Sequence, residues 1–172
     1  MTSSDRGGTS RKAKIYNNIF YDCGESAITF PTADNESDGN LFVRMRGGYL
    51  RVMYPAPEVC LDLPSWQEFC GFDRAGQTGW FDISFSGETG EAAFAEAPSG
   101  PDSPAYQFPR AEPALSIGRV LPVPPDPLVR EDCTGAPHPE GAVLPGPFND
   151  PEHAVFPLPA ACAFFSGGID LE

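Results

Sequence analysis

An acidic stretch at residues 34–40 carries side chains suited to binding a cation. Asp34, Glu36 and Asp38 stand at alternate positions ahead of a glycine, and this spacing resembles the first half of an oxygen-ligand calcium loop. The bidentate acid of an EF-hand would fall at position 45, which is Met45, so an EF-hand is excluded. Two alternatives remain: a weak calcium site on the three acids, or a solvated turn joining two strands. No other cofactor is predicted.

Acids and arginines of the same region could act on a glycosidic bond. Glycoside hydrolysis needs two carboxyl groups that face each other across the sugar. A lyase also needs a basic residue that abstracts a proton or neutralises a uronate. The candidates are Asp22, Glu25, Asp34 and Asp38 as acids, and Arg44, Arg46 and Arg51 as basic groups. Because a sequence does not show distances, the catalytic residues stay unknown.

Two histidines and four tyrosines complete the set of candidates. His138 and His153 both lie in a proline-rich tail, away from any recognisable nucleophile or metal partner, and we expect them to face solvent. Outward-pointing tyrosines would form a platform on which sugar rings stack; the candidates are Tyr16, Tyr21, Tyr49 and Tyr54. Tyr21 and Tyr49 occupy apolar positions of the repeat described next, which favours the core for these two.

A repeat of about 22 residues must position these groups. When residues 18–30 are set above residues 40–52, apolar positions face apolar positions and Asn18 faces Asn40. Such a period with short strands is typical of one coil of a parallel β-helix, in which equivalent residues stack. We therefore expect an asparagine ladder at a corner. The alternative is two ordinary antiparallel strands that look alike. The matched pairs are Ile19 with Leu41, Phe20 with Phe42, Tyr21 with Val43, Cys23 with Met45, Ala27 with Tyr49, Ile28 with Leu50, and Phe30 with Val52.

One short helix and one further strand are predicted after the repeat. Asp62 can cap a helix, Pro64 suits its first turn, and Gly71 can end it. Its apolar face would comprise Trp66, Phe69 and Cys70. A strand is predicted at residues 80–85, where Phe81, Ile83 and Phe85 alternate with polar residues, as in a half-buried strand.

Composition divides the chain and excludes some partners. Sixteen of the 20 prolines lie from Pro98 onward, and the segment from residue 95 has three basic and eleven acidic residues, which predicts a solvated, self-repelling tail. The net charge of −13 argues against nucleic acid and anionic membranes as partners.

The sequence has no run of 18 apolar residues, so no membrane span is predicted, and the first residues lack the apolar core of a signal peptide. The five cysteines form no Cys-x-x-Cys pair, so we expect free or buried thiols.

Several motifs resemble secreted right-handed parallel β-helix proteins of bacteria, a class that includes polysaccharide lyases and glycoside hydrolases. Residues 17–24 and 38–42 resemble the family's asparagine-led coil entries. Residues 63–73 resemble the tryptophan–glutamine segment that precedes the last coils, and residues 101–108 are similar to a closing motif. The likeness covers residues 14–85 well and 86–108 loosely. These motifs concern the fold, and the link to polysaccharide comes from the resemblance alone.

The resulting expectation is an all-β chain: the end of a right-handed parallel β-helix of two to three coils, with one short helix and a Pro-rich, largely irregular C-terminal segment. Residues 1–13 would be a disordered N-terminus, and residues 14–108 would hold the coils, with the helix near 63–70 and the closing motif near 101–108. Residues 109–172 would form an acidic extended segment.

Three functions fit this layout. The first is the C-terminal fragment of an extracellular protein that acts on or binds polysaccharide, its catalytic coils lying in an upstream β-helix segment; as an enzyme it would be a lyase or glycoside hydrolase. The second is a non-enzymatic carbohydrate-binding or adhesion module. The third is a truncated gene product without independent function, because a solenoid usually needs at least three units to close its core.

Overall fold

The computed structural model describes residues 11–24, 26–45, 49–54, 59–97, 120–125 and 129–150. The predicted closing motif near residues 101–108, His153 and Cys162 lie outside these ranges. The strands are β1 (Lys14–Tyr16), β2 (Ile19–Tyr21), β3 (Ile28–Thr32), β4 (Glu36–Asp38), β5 (Leu41–Val43), β6 (Leu50–Tyr54), β7 (Val59–Leu61), β8 (Gln77–Gly79), β9 (Phe81–Phe85) and β10 (Ala92–Glu96). An α-helical turn, α1 (Leu63–Ser65), continues into a π-helical turn at Trp66–Cys70. Within the described part of the chain, no helix is long and apolar enough to cross a membrane.

The 22-residue repeat of the sequence equals the spacing between paired residues in three parallel strand pairs. β1 pairs with β4, β2 with β5 and β3 with β6, and the paired residues are 22 positions apart, as in Ile19 opposite Leu41 and Ile28 opposite Leu50. We call β1–β3 the first rung and β4–β6 the second rung. The corners repeat as well, because left-handed backbone occurs at residues 17 and 39 and again at residues 22 and 44. The all-β class with one short helix is confirmed, and the antiparallel alternative is wrong for these pairs.

Antiparallel pairing appears where the repeat ends. β8 still lies parallel to β5, with Gln77 opposite Leu41. In contrast, β7 runs antiparallel to β6, and β9 forms an antiparallel hairpin with β10. The strand predicted at residues 80–85 is therefore confirmed as β9, although its last residue, Phe85, is 56% exposed. The sequence reading did not predict β7 or β10.

The inner core lies between the rungs and the helix. Phe20 stacks on Phe42 with ring centroids 5.4 Å apart, and Tyr49 packs against Phe42. The prediction that Tyr49 is a core residue is confirmed, since it is 3% exposed. The other buried members of this core are Ile15, Ala27, Ile28, Phe30, Leu50, Leu63 and Trp66.

The two ends of the helix are as predicted, but its predicted apolar face is not. The Asp62 carboxylate accepts a hydrogen bond from the Ser65 amide, and Gly71 ends the helix in the left-handed conformation. Trp66 is fully buried, whereas Phe69 is 75% exposed. The expected apolar face is wrong at Phe69 because the π-helical turn shifts side-chain directions from those of an α-helix.

A second apolar cluster covers the outer face of β2 and β5. Leu41, Val43 and Phe81 are fully buried there, and Val120 closes the cluster from the C-terminal segment. Val123, Val143 and Phe148 of the same segment are also at most 6% exposed. The expectation of a solvated tail is therefore wrong for these stretches, because their apolar side chains bury against the sheet.

The C-terminal segment crosses the corners of the rungs. Gln77, in β8, exchanges two 2.7 Å hydrogen bonds with the backbone of Leu121. Three residues further along the chain, the carbonyl of Pro124 accepts from Nδ2 of Asn17, in the first rung, at 3.1 Å. Residues 121–124 thus run from the last parallel strand back to the first. We call residues 120–125 and 129–149 the strap.

A polar ladder, exposed at Asn18 and buried at Asn40 and Asp73, joins the rungs to the helix. The predicted pairing is confirmed, since the Asn18 side chain donates to Asn40 Oδ1 at 3.1 Å. Asn40 Nδ2 in turn donates to Asp73 Oδ1 at 2.7 Å, and Asp73 is fully buried. The sequence reading predicted the two asparagines but not the carboxylate that ends the ladder.

Candidate functional site

A cavity of about 390 Å³ lies between the first rung and the strap. This volume falls in the lower part of the range for small-molecule sites. We call it the corner cavity. Its described lining residues are Tyr16, Asn17, Asn18, Ile19, Val129, His138, Val143, Leu144, Gly146 and Pro147. Polar groups come from the corner before β2 and from His138, and the strap supplies most of the apolar wall.

The first-rung wall is held by the turn between β1 and β2. Asn17 adopts left-handed backbone with φ +56°, a conformation that asparagine tolerates better than most residues. The Tyr16 hydroxyl donates to Glu36 at 2.8 Å, and Lys14 pairs with the same carboxylate at 3.3 Å. The hydrogen bond from Tyr16, followed by the contact with Lys14, lowers the pKa of Glu36. The tyrosine ring is thereby fixed at the cavity wall.

Close approach of the strap to this turn depends on a glycine. The Gly146 amide donates to the Asn17 carbonyl at 2.6 Å, and Gly146 has φ +112°. A Cβ at this position would lie 2.6 Å from Cδ1 of Ile19, which is shorter than a van der Waals contact. Only glycine combines this backbone conformation with this separation.

Asp132 organises the part of the strap that carries the histidine. Its carboxylate accepts hydrogen bonds from the Thr134 amide and hydroxyl, from the Ala136 amide, and from the Asn149 amide at 3.1 Å. Partial burial raises the pKa of Asp132, but these donors outweigh it and lower the pKa to about 2. The carboxylate stays charged and ties residues 132–136 to residue 149.

Asn149 fixes the orientation of His138. The Asn149 Nδ2 group faces the carbonyl oxygens of Ala136 and Pro137 at 3.3 and 3.1 Å. Because carbonyls only accept, Asn149 Oδ1 must be the atom that lies 2.6 Å from Nδ1 of His138. That oxygen also only accepts, so Nδ1 carries the proton. In the neutral imidazole, Nε2 then presents a lone pair.

His138 therefore differs from the solvent-facing residue expected from the sequence. It is half-buried, lines the corner cavity, and its Nε2 has no hydrogen-bond partner among the described residues. Sequence reasoning missed it because its orienting partner is 11 residues away in irregular chain. No periodic pattern marks either residue.

The three predicted calcium ligands each have other partners. Asp34 accepts from the Thr32 hydroxyl and pairs with Arg11 at 3.3 Å, contacts that lower its pKa, the Thr32 bond most strongly. Glu36 binds Tyr16 and Lys14, as described above. Asp38 accepts from the amides of Gly39 and Ala75, each at 2.8 Å. Within the described ranges, no group of three His, Cys, Asp or Glu side chains is placed to hold a metal, and the calcium site stays a prediction.

The alternative of a solvated turn is wrong for part of the acidic stretch. Residues 36–38 form β4, and Asn35, Ser37 and Asn40 are at most 5% exposed. Their side chains point into the rung and make hydrogen bonds there, as in the donation from Asn35 Nδ2 to the Thr32 carbonyl. Of the acids in this stretch, Asp34 and Glu36 are exposed and Asp38 is half-buried.

Arg44 lies in a separate cluster at the corner after β5. Its guanidinium contacts the Asp82 carboxylate and lies 5.9 and 6.0 Å from the ring centroids of Tyr21 and Trp80. The Tyr21 hydroxyl also donates to Asp82 at 3.3 Å. The cluster thus links the first rung, the second rung and β9. Since the arginine and the acid satisfy each other and Arg44 covers both rings, we interpret the cluster as a structural clamp.

We expect this clamp to stabilise the fold measurably. The side chains of Arg44 and Asp82 are 18% and 31% exposed, so solvent screens their attraction only partly. A double-mutant cycle with Arg44→Gln and Asp82→Asn should give a coupling of about 1–2 kcal/mol in the free energy of unfolding. The Lys14–Glu36 pair, with both side chains 53% exposed, is the control and should give below about 1 kcal/mol. Equal coupling in the two pairs would contradict the interpretation.

Among the described residues, the remaining sequence candidates do not line the corner cavity. Arg51 Nε donates to the Thr29 hydroxyl at 3.1 Å on β3 and β6. Glu25 and Arg46 lie outside the described residues. The predicted free thiols are confirmed for Cys23, Cys60, Cys70 and Cys133.

Comparison with known proteins does not assign the chain to a family. No family model matches the chain, and neither a curated protein nor a solved structure matches it.

Proposed function

We propose that the two rungs belong to the end of a right-handed parallel β-helix, and that this stretch binds polysaccharide rather than cleaving it. The fold part is supported by three parallel strand pairs that share one 22-residue offset and by corners that repeat at the same interval. Stacking of equivalent residues is the property that defines a solenoid.

The corner cavity is the observation that carries the binding function. It combines an aromatic ring, two amide side chains and an oriented imidazole with aliphatic walls. A sugar presents the same mixture, since its ring has apolar C–H faces and a rim of hydroxyls. The link to polysaccharide itself comes from the family resemblance of the coil motifs.

Binding without cleavage is favoured by the state of the described acids. Asp34, Glu36 and Asp82 are each paired with a basic side chain, and Asp73 is fully buried. A glycosidase needs two carboxyl groups open to the same glycosidic bond. None of the described lining residues of the corner cavity is an acid.

Filling the cavity from its exposed side tests the proposal. Val129 lines the cavity and is 51% exposed, so Val129→Trp should occupy the space without disturbing the core. Leu121→Trp is the matched control, because Leu121 is a 64% exposed aliphatic residue of the strap that does not line the cavity. We expect the wild-type chain and Leu121→Trp to be retarded in gels containing at least one soluble neutral polysaccharide, and Val129→Trp to migrate freely.

The same samples distinguish binding from catalysis. Incubation with each neutral polysaccharide should produce no new reducing ends, and incubation with a uronate-containing polysaccharide should produce no ultraviolet absorbance of unsaturated uronates. Appearance of either product would replace the binding function with a hydrolase or a lyase. The proposed function would be rejected if Val129→Trp were retarded as strongly as the wild-type chain. It would also be rejected if no polysaccharide retarded the wild-type chain.

A further inference from the structure

We infer that the corner cavity is a subsite for a single neutral sugar ring, with a ligand hydroxyl donating a hydrogen bond to Nε2 of His138. This inference rests on the proposed carbohydrate-binding function and deepens it by naming the ligand class and the atom that recognises it. Four features of the cavity support it: size, charge, polarity and the orientation of the histidine.

Size limits the ligand. About 390 Å³ suits a small ligand, near the lower end of the 300–1,000 Å³ typical of ligand pockets. The neighbouring apolar contact around Ile19, Leu41, Val120 and Phe148 leaves only about 10 Å³, less than one water molecule needs. Of these two neighbouring spaces, only the corner cavity, on the side of the strap where His138 lies, is large enough for a ligand.

Charge excludes an anionic sugar. None of the described lining residues is Lys or Arg. Lys14, which lies beside the wall residue Tyr16, is paired with Glu36. Arg130 follows the lining residue Val129 in sequence, but it is exposed and does not line the cavity. A uronate carboxylate or a phosphate would lose its hydration without gaining a cation, which is costly in an enclosed site. The net charge of −13 adds an unfavourable long-range field. A neutral ligand avoids both costs.

Polarity excludes a purely apolar ligand. Asn17, Asn18, Tyr16 and His138 supply polar atoms to the cavity, while Ile19, Val143, Leu144 and Pro147 supply aliphatic surface. An apolar ligand would leave the Nε2 lone pair of His138 without a donor, and an unsatisfied buried acceptor carries a free-energy penalty. A pyranose has hydroxyls for the polar groups and C–H faces for the aliphatic surface.

The hydrogen bonds that link Asp132, Asn149 and His138 make Nε2 of His138 an acceptor toward the cavity. Asp132 accepts from the Asn149 amide at 3.1 Å, and Asn149 Oδ1 accepts from His138 Nδ1 at 2.6 Å. A neutral imidazole held this way offers Nε2 as an acceptor, and a sugar hydroxyl supplies the matching donor. Asn149 and Asp132 are positioning residues, because they act through His138.

Nitrogen NMR of the histidine tests the inference. The chain has two histidines, so His153→Gln leaves His138 as its only imidazole. In alkaline buffer, where an imidazole is neutral, the free protein should show the Nδ1–H tautomer. Titration with methyl glycosides of glucose, galactose, mannose and xylose should shift the Nε2 resonance saturably for at least one of them. Glucuronate should leave it unchanged.

Two variants and one comparison make the result decisive. Val129→Trp in the His153→Gln background should abolish the shift, and His138→Phe should weaken glycoside affinity about tenfold, the loss expected for one hydrogen bond. An Nε2–H tautomer, or an equal shift with glucuronate, would overturn the inference. If the protein binds a polysaccharide but no glycoside moves the resonance, the subsite is wrong while the proposed function stands. If neither polymer nor glycoside binds, both fail.

Discussion

Replacing Asp73 with alanine should lower the free energy of unfolding by about 4 kcal/mol. The carboxylate is fully buried and accepts from the Ser37 hydroxyl, from the amide and side chain of Asn40 at 3.2 and 2.7 Å, and from Trp66 Nε1 at 3.0 Å. The Asn40 amide and Trp66 Nε1 make no other described hydrogen bond. Each buried donor left unsatisfied costs about 1–3 kcal/mol.

Urea denaturation of Asp73→Ala and of a matched control measures this cost. Asp62→Ala removes a carboxylate from the same segment, but that carboxylate only caps the helix by accepting from the Ser65 amide at 3.0 Å. Its loss should cost about 1 kcal/mol. A difference of less than about 1 kcal/mol between the two variants would show that the polar ladder is not a major source of stability.

The pH dependence of stability provides a second readout on Asp73. Burial raises its pKa, and hydrogen bonds from Ser37, Asn40 and Trp66 oppose the shift without cancelling it. An acid whose pKa is higher in the folded state binds more protons folded than unfolded. Stability should therefore fall as pH rises from about 4, the unfolded value, to the folded-state pKa, and then level off. Asp73→Asn should remove this component of the slope.

Truncating Trp66 to alanine should cost about 3–5 kcal/mol, the range for a fully buried tryptophan. Its ring lies 5.8 Å from that of Phe30 and 5.0 Å from that of Phe72, so its removal opens the core between the rungs and the helix. Trp66→Phe keeps most of this packing but removes the Nε1 donor to Asp73. We expect that variant to cost about 1–2 kcal/mol.

Phe69 is the matched control for Trp66. It lies in the same helical turn but is 75% exposed, so Phe69→Ala should change the free energy of unfolding by less than about 0.5 kcal/mol. Thermal and urea denaturation of the three variants would rank them. Similar losses for Trp66→Ala and Phe69→Ala would contradict the placement of Trp66 as the link between the helix and the rungs.

The register of the rungs could be predicted from the sequence because stacking brings like residues together. Ile19 lies opposite Leu41 and Phe20 opposite Phe42, the pairs that the 22-residue alignment indicates. The second apolar cluster, on the outer face of β2 and β5, also has a sequence signal, although it was not predicted. Consecutive apolar residues at 19–21 and 41–43 are typical of strands covered on both faces, and Leu41 and Phe42 are both fully buried, in different clusters.

The sequence by itself therefore determined the strand register, the asparagine ladder and the helix ends, because each depends on local chemistry or on a repeated period. Tertiary structure alone decided where the strap lies and what it brings together. The bond from Asn17 to Pro124 spans 107 residues, and His138 meets the first rung through irregular chain with no period to reveal it. Non-repeating contacts between single residues leave no pattern in the sequence, and the corner cavity consists of such contacts.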